Sequence, residues 1–212
     1  CTALALSDGD QIYVWVSNDL IWTDLSLVEA THRLVRDAYG LDPAHVVITN
    51  THTHSGPATM KTIAWGEWDE AYTSTLPGKF AEAIGQAVSN MQPGRIGFGL
   101  AAIPALSVNR VDEGGIADQD AVLMRIDDEQ GNIRAVTINF SAHPVTLGAS
   151  TLVCGDYPAN GIAKMENELD GVRMLFFQGS CGNLNCRGFG DGLETVSEPL
   201  AAAPMAPVSL AP

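Results

Sequence analysis

Short apolar runs and one amphipathic segment alternate through the first fifty residues. Residues 11–18 read QIYVWVSN, and the β-branched and aromatic side chains of this run predict a buried strand. A helix is predicted next, because Asp24 provides a start signal and Gly40 provides a stop signal. Residues 45–49 predict a second strand. A βαβ unit is therefore expected in this part of the chain.

The following segment changes from an irregular stretch to a helical period. Residues 60–72 hold Trp65 and Trp68 among polar residues without a period, which predicts an irregular loop or lid. From Phe80 onward, apolar side chains recur at the spacing of one helical face, and Pro93 with the glycine after it ends the pattern. A helix is predicted there.

Strand-like runs dominate the second half of the chain. Strands are predicted at residues 96–100, 121–127, 133–140 and 172–177. The five residues between the second and third of these runs, DEQGN, predict a hairpin connection. A helix is predicted over residues 158–169. Together these elements predict an α/β fold with a mixed β-sheet flanked by helices.

The final residues differ in composition from the rest. Residues 1–193 are predicted to form one domain, incomplete at its carboxyl end. Residues 194–212 are rich in alanine and proline and carry no period, which predicts a disordered tail. The chain also opens on Cys1 within strand-like sequence, so its native start is expected further upstream.

The net charge argues against one broad class of partners. With 25 acidic and 11 basic residues, the formal charge of -14 opposes broad binding to nucleic acid or to anionic membrane surfaces. No run approaches the roughly eighteen apolar residues that indicate a transmembrane helix. A lipid substrate would therefore have to be met by local contacts, including transient contact with a membrane surface.

The motif TNTHTHSGP, residues 49–57, lies where a predicted strand runs out into a loop. Residues two apart on an extended chain point to the same side, so His52 and His54 are expected to face one site. Imidazole is a common zinc ligand, and a second imidazole can serve as acid, base or hydrogen-bond partner. Two solvated loop histidines are the alternative. His32 and His45 are interpreted as structural.

A third histidine, His143, follows the apolar strand in the motif FSAHPVT. Strand ends are where α/β folds gather their ligands, so the pairing with the first motif makes His143 a candidate metal ligand. Taken alone, a histidine in this position is more often structural.

Three further motifs hold polar residues that can assist a reaction. Residues 107–110, SVNR, are predicted to form a loop after an apolar strand, in which Arg110 can steady a carboxylate or an oxyanion, unless it is an ordinary surface residue. Asp156 is interpreted first as the N-cap of the next helix and second as support for a metal ligand. The glycine-rich turn FFQGSCGNLN, residues 176–185, allows backbone amides to approach a substrate.

Cys181 and Cys186 can pair if their compartment is oxidising.

Taken in order, the motifs THTHSGP, NR, AHP, GDYP and QGxxGN resemble those of the neutral/alkaline, non-lysosomal ceramidase family, across residues 1 to about 190. The resemblance implies a layered α/β catalytic domain in which His52 and His143 bind a catalytic zinc ion. It implies that His54 lies beside the catalytic centre and that Arg110 helps to hold the substrate or transition state. The implied reaction is hydrolysis of N-acylsphingosine, and the implied location is secreted, periplasmic or extracellular.

The chain departs from the family pattern at the glycine-rich turn. The family places an essential serine where this chain has Asn185, and Ser180 does not occupy the matching position. The family also takes a glutamate and a tyrosine ligand, and a carboxyl-terminal β-domain, from sequence that corresponds to positions beyond residue 212. An inactive fragment is therefore one expectation.

Two alternatives stay open at this point. One is an unrelated His-x-His metallohydrolase acting on phosphate esters or cyclic amides, which would bring further aspartate and histidine ligands to His52 and His54. The other is a remnant that keeps the ceramidase scaffold without turnover, which the asparagine at position 185 favours.

Overall fold

The computed structural model describes residues 1–63, 66–104, 106–148, 150–187, 200 and 209–210. The chain divides into two compact units. The first comprises Cys1–Asn50 and Pro57–Gln92, and the second comprises Thr51–Gly56 and Pro93–Pro212. In the described ranges, no helix has the length and apolar character needed to cross a membrane.

The first unit combines a three-stranded sheet with helices. Its strands are β1 (Thr2–Ser7), β2 (Ile12–Asn18) and β3 (Val46–Asn50), in the order β1-β2-β3. Its helices are α1 (Leu25–Tyr39), α2 (Glu70–Thr73) and α3 (Leu76–Ser89), with a 3₁₀ turn at Pro43–His45. β1 and β2 are antiparallel, whereas β2 and β3 are parallel, so the βαβ prediction is confirmed.

The ends of α1 follow from its sequence signals. The Asp24 side chain accepts a hydrogen bond from the Ser26 amide, and Gly40 ends the helix with φ 68°. Helix α3 begins earlier than its apolar period predicts, because Pro77 is well tolerated in a first turn, where its missing amide hydrogen has no helical partner. His45 lies in the 3₁₀ turn just before β3 and its ring contacts that of Tyr13.

The second unit contains a five-stranded sheet, a two-stranded sheet and one helix. The larger sheet has the order β10-β4-β6-β7-β8, formed by β4 (Gly94–Ala102), β6 (Asp120–Asp128), β7 (Ile133–Phe140), β8 (Arg173–Gln178) and β10 (Ser209–Leu210). The smaller sheet pairs β5 (Ser107–Asn109) with β9 (Leu184–Cys186), and the helix is α4 (Asp156–Glu168). Only β7 and β8 pair in parallel within the described part of the larger sheet. This mixture confirms the predicted α/β class.

One apolar cluster holds the second unit together. Alternate residues of the central strands, including Val136, Ile138 and Phe140, pack with Tyr157 and Met165 of α4. Burial of such side chains away from water provides the main stabilisation of the unit. The exit of β7, which carries His143, is thus anchored on a well-packed core.

The structure departs from the sequence predictions at residues 107–109 and at Leu200 and Ser209–Leu210 of the tail. Residues 107–109 were predicted to lie in a loop, but they form β5, because β9 supplies a partner strand. The Trp65 part of the predicted lid lies outside the described residues. Most of the predicted disordered tail also lies outside them, except Leu200, which is buried in the core cluster, and Ser209–Leu210, which pair with β4.

Candidate metal centre

The segment that carries His52 and His54 is fixed by contacts to two other loops of the second unit. The His54 amide donates to the Pro144 carbonyl at 3.2 Å, and the Thr53 hydroxyl donates to the Cys154 carbonyl at 2.7 Å. The Cys154 amide in turn donates to the Ser55 carbonyl at 2.7 Å. Since Thr53 is fully buried, these bonds fix the positions from which the two histidines project.

The backbone between the two histidines is not a simple extended strand. His52 has φ 66°, in the left-handed region that non-glycine residues seldom occupy. Such a conformation costs about 1–2 kcal/mol and is retained where the surrounding structure imposes it. The backbone at His52 is therefore not extended, as had been predicted, but both rings still face one site, with their centroids 5.1 Å apart.

His143 is held through its backbone and through one ring nitrogen. It follows β7 and forms a parallel bridge with Asn185. Its Nδ1 lies 2.7 Å from the Cys181 carbonyl and 3.0 Å from the Leu184 carbonyl. A carbonyl can only accept, so Nδ1 carries the hydrogen in the neutral ring and Nε2 keeps its lone pair.

His52, His54 and His143, the histidine trio, converge on one position. The centroid of the His143 ring lies 4.9 Å from that of His52 and 5.5 Å from that of His54. One nitrogen from each residue lies within 4.8 Å of the others. Tetrahedral zinc with bonds of about 2.0–2.1 Å separates its nitrogen ligands by roughly 3.4 Å, so modest side-chain rotation suffices for binding. The predicted ligands meet, and His54 joins them as a third potential ligand.

The electrostatic surroundings lower the pKa of two histidines of the trio, His54 and His143. Burial, followed by the repulsion of His52, His143 and Arg110, lowers the pKa of His54 to about 4, although the side chain is open to solvent on one side. Burial is also the largest cause that lowers the pKa of His143. Neutral imidazoles are the form that binds metal, so protons compete weakly at these two rings near neutral pH.

The lowered pKa of His54 gives a testable pH dependence for the metal-free protein. The C2 proton of His54 should titrate with a midpoint near pH 4 in an NMR titration. The unfolded chain takes up this proton near pH 6.5, whereas the folded chain takes it up only near pH 4. The contribution of neutral His54 to the free energy of unfolding is therefore complete above pH 6.5 and is lost as the pH falls toward 4. His54→Gln should therefore reduce the fall in Tm between pH 7 and pH 5. A midpoint above pH 6 would contradict the assignment.

Arg110 is engaged with the glycine-rich turn. Its Nε and Nη2 both donate to the Gly182 carbonyl, at 3.1 and 2.7 Å, and its amide donates to the Asn183 carbonyl at 2.9 Å. Its positive charge is close enough to lower the pKa of both His54 and His143. The guanidinium thus steadies the turn and adds positive potential to the site, and its predicted contact with an oxyanion stays a prediction.

Asp156 supports the loop that follows His143. Its side chain is fully buried; one carboxylate oxygen accepts from the Thr146 amide at 3.0 Å and the other from the Tyr157 amide at 2.7 Å. Asp156 is the first residue of α4, with φ 60°, and the N-cap position belongs to Gly155, so the N-cap prediction was wrong. A further hydrogen bond joins α4 to the residue before His143: the Tyr157 hydroxyl donates to the Ala142 carbonyl at 2.9 Å.

Cys181 and Leu184, which contact the His143 ring, were not among the predicted site residues. Their contribution to the ring comes from backbone carbonyls, which leave no signature in side-chain identity. The Cys181 sulfur also lies 4.0 Å from Nε2 of His143. Cys181 and Cys186 are both free thiols in this structure, so their conditional pairing is not observed.

Comparison with known proteins yields a likeness of fold. No protein-family model and no curated protein matches the chain. Solved structures similar to this chain include a neutral ceramidase from Pseudomonas aeruginosa and a ceramidase complexed with C2. In both cases the TM-score is 0.82 and the sequence identity 20%, over 93% of this chain but only 36% of the matched chain. The resemblance seen in the motifs is thus confirmed for the fold, and the chain corresponds to about a third of those proteins.

Proposed function

We propose that this chain belongs to a zinc-dependent hydrolase that cleaves a linear amide, N-acylsphingosine, to sphingosine and a fatty acid. The observation that carries the proposal is the histidine trio, whose ligand nitrogens gather at one position. The fold shared with a neutral ceramidase supports the choice of substrate class. The three histidines also lie in the motifs, THTHSGP and AHP, that resemble those of that family.

The residues present fit a zinc site. His143 exposes the lone pair of Nε2 because backbone carbonyls hold Nδ1, and His52 offers a nitrogen beside it. Zinc held there would polarise the scissile carbonyl and activate the attacking water. His54, neutral and partly open to solvent, lies beside this position and can accept a hydrogen bond from the attacking water. Arg110 adds positive potential where negative charge develops on the carbonyl oxygen.

The composition of the trio argues against the alternative metallohydrolase. That alternative predicts further aspartate and histidine ligands converging on His52 and His54, and of these only the histidine, His143, is found among the described residues. Within the part of the chain that the structure describes, the group able to share one metal ion contains three histidines and no carboxylate. The ceramidase type, in which histidines from two separate motifs meet, accounts for this arrangement better.

A zinc-dependent hydrolysis assay tests the proposal. Purified protein is measured for bound zinc and for release of a fluorescent fatty acid from N-acylsphingosine, both for this chain and for the longest polypeptide in its reading frame. We expect activity that a chelator removes and added zinc restores. The control is His32→Ala, since His32 contacts the Val46 carbonyl and is not part of the trio. Hydrolysis that persists without zinc, or zinc binding without hydrolysis in either polypeptide, would refute the proposal.

A further inference from the structure

Asn185 is the central residue of β9, and the burial of the two flanking residues shows which way its side chain points. Leu184 and Cys186, on either side, are almost fully buried, and Cys186 belongs to the core cluster. Successive side chains of a strand point to opposite faces. The Asn185 side chain therefore points away from the core that anchors the second unit.

The same face carries the imidazole of His143. The His143 amide donates to the Leu184 carbonyl at 3.0 Å, and the Cys186 amide donates to the His143 carbonyl at 3.4 Å. This pattern makes Asn185 the parallel partner of His143. Partners in a ladder project their side chains to the same face, on backbones about 4.8 Å apart. The carboxamide thus lies beside His143, on the face that carries its imidazole.

The Asn185 carboxamide oxygen is buried and has no hydrogen-bond partner. Buried polar atoms in folded proteins are almost always paired, so an orphan beside a candidate metal centre indicates a donor that arrives with a ligand. Nε and Nη2 of Arg110 donate to the Gly182 carbonyl and Nδ1 of His143 contacts backbone carbonyls, so these donors are already engaged.

We infer that Oδ1 of Asn185 accepts the hydrogen bond of the substrate's amide N–H, which makes Asn185 a residue that selects amides over esters. The inference rests on the proposed function and deepens it. In a linear amide whose carbonyl faces the trio and Arg110, the N–H also leaves water and needs an acceptor. An ester of the same chain has no such hydrogen, and a site built around a hydrogen bond discriminates against a substrate that lacks it.

A matched pair of substrates tests this role in the zinc-loaded protein. The pair is octanoyl p-nitroanilide and octanoyl p-nitrophenyl ester, compared by kcat/KM. Asn185→Leu, which removes the acceptor at similar volume, should lower the value for the anilide about 5- to 150-fold and that for the ester less than about 3-fold. Asn185→Asp keeps an acceptor and should restore the ratio. Asn167→Leu, on the exposed surface of α4, is the matched control. Equal loss on both substrates would overturn the inference.

A second measurement decides the inference without turnover. The side-chain amide resonances of Asn185, assigned by difference from Asn185→Ser, are followed while N-methyloctanamide or methyl octanoate is added. We expect shifts with the amide and none with the ester. No shift with either compound, or equal shifts, would overturn the role. If wild-type protein hydrolyses neither substrate, the proposed function fails on its own, whereas these spectra still decide where the amide binds.

Discussion

Replacing His143 with alanine is expected to abolish tight zinc binding by this chain. His143 is the buried member of the histidine trio, and its Nδ1 contacts fix Nε2 as the ligand atom. Loss of a group that merely supports a ligand costs about 10- to 100-fold in metal affinity, so loss of the ligand itself should cost more than about 100-fold. His52→Ala should have the same consequence, and hydrolysis should fall with metal content.

Calorimetric titration with zinc and thermal unfolding provide the measurements. At a free zinc concentration about 100 times Kd, binding to the folded state stabilises the wild-type protein by about 2.7 kcal/mol, a rise in Tm of roughly 5–11 °C. The rise should vanish in His143→Ala. His45→Ala is the matched control, because His45 contacts Tyr13 and lies outside the trio. A wild-type-like zinc affinity in His143→Ala would contradict the assignment.

Replacing Asp156 with alanine is expected to destabilise the protein strongly and to weaken zinc binding. The change leaves the buried amides of Thr146 and Tyr157 without their acceptors. Each unpaired buried group costs about 1–3 kcal/mol, so the free energy of unfolding should fall by about 2–6 kcal/mol. Thr146 lies three residues after His143, so the loop that follows this ligand loses the hydrogen bond that holds it. A less rigidly held His143 should bind zinc more weakly.

Urea unfolding and zinc titration measure the two effects separately. Asp156→Asn keeps one acceptor and presents an amide group to the other backbone donor, so an intermediate loss is expected. Asp170→Ala, at an exposed position beyond α4, is the control and should stay within about 0.5 kcal/mol of the wild-type value. A loss below about 1 kcal/mol in Asp156→Ala would show that the two amides find other partners.

Local signals determined much of the fold. The Asp24 cap and the Gly40 stop set the ends of α1, and the helical spacing of apolar residues from Phe80 located α3. These features depend on neighbours within a few residues, so they can be predicted from the sequence. The positions of His52 and His143 at strand exits were likewise readable, because strand ends follow from the apolar runs before them.

The tertiary structure alone decided how the site is assembled. The left-handed backbone at His52, the carbonyls that orient His143 and the buried acceptors of Asp156 have no signature in their own sequence. The reason is separation along the chain: the bond from Thr53 to Cys154 spans 101 residues, and the bond from His143 to Cys181 spans 38. Such contacts form only when the sheets bring distant loops together. The sequence of this protein therefore determined which side chains are available, and folding decided which of them meet.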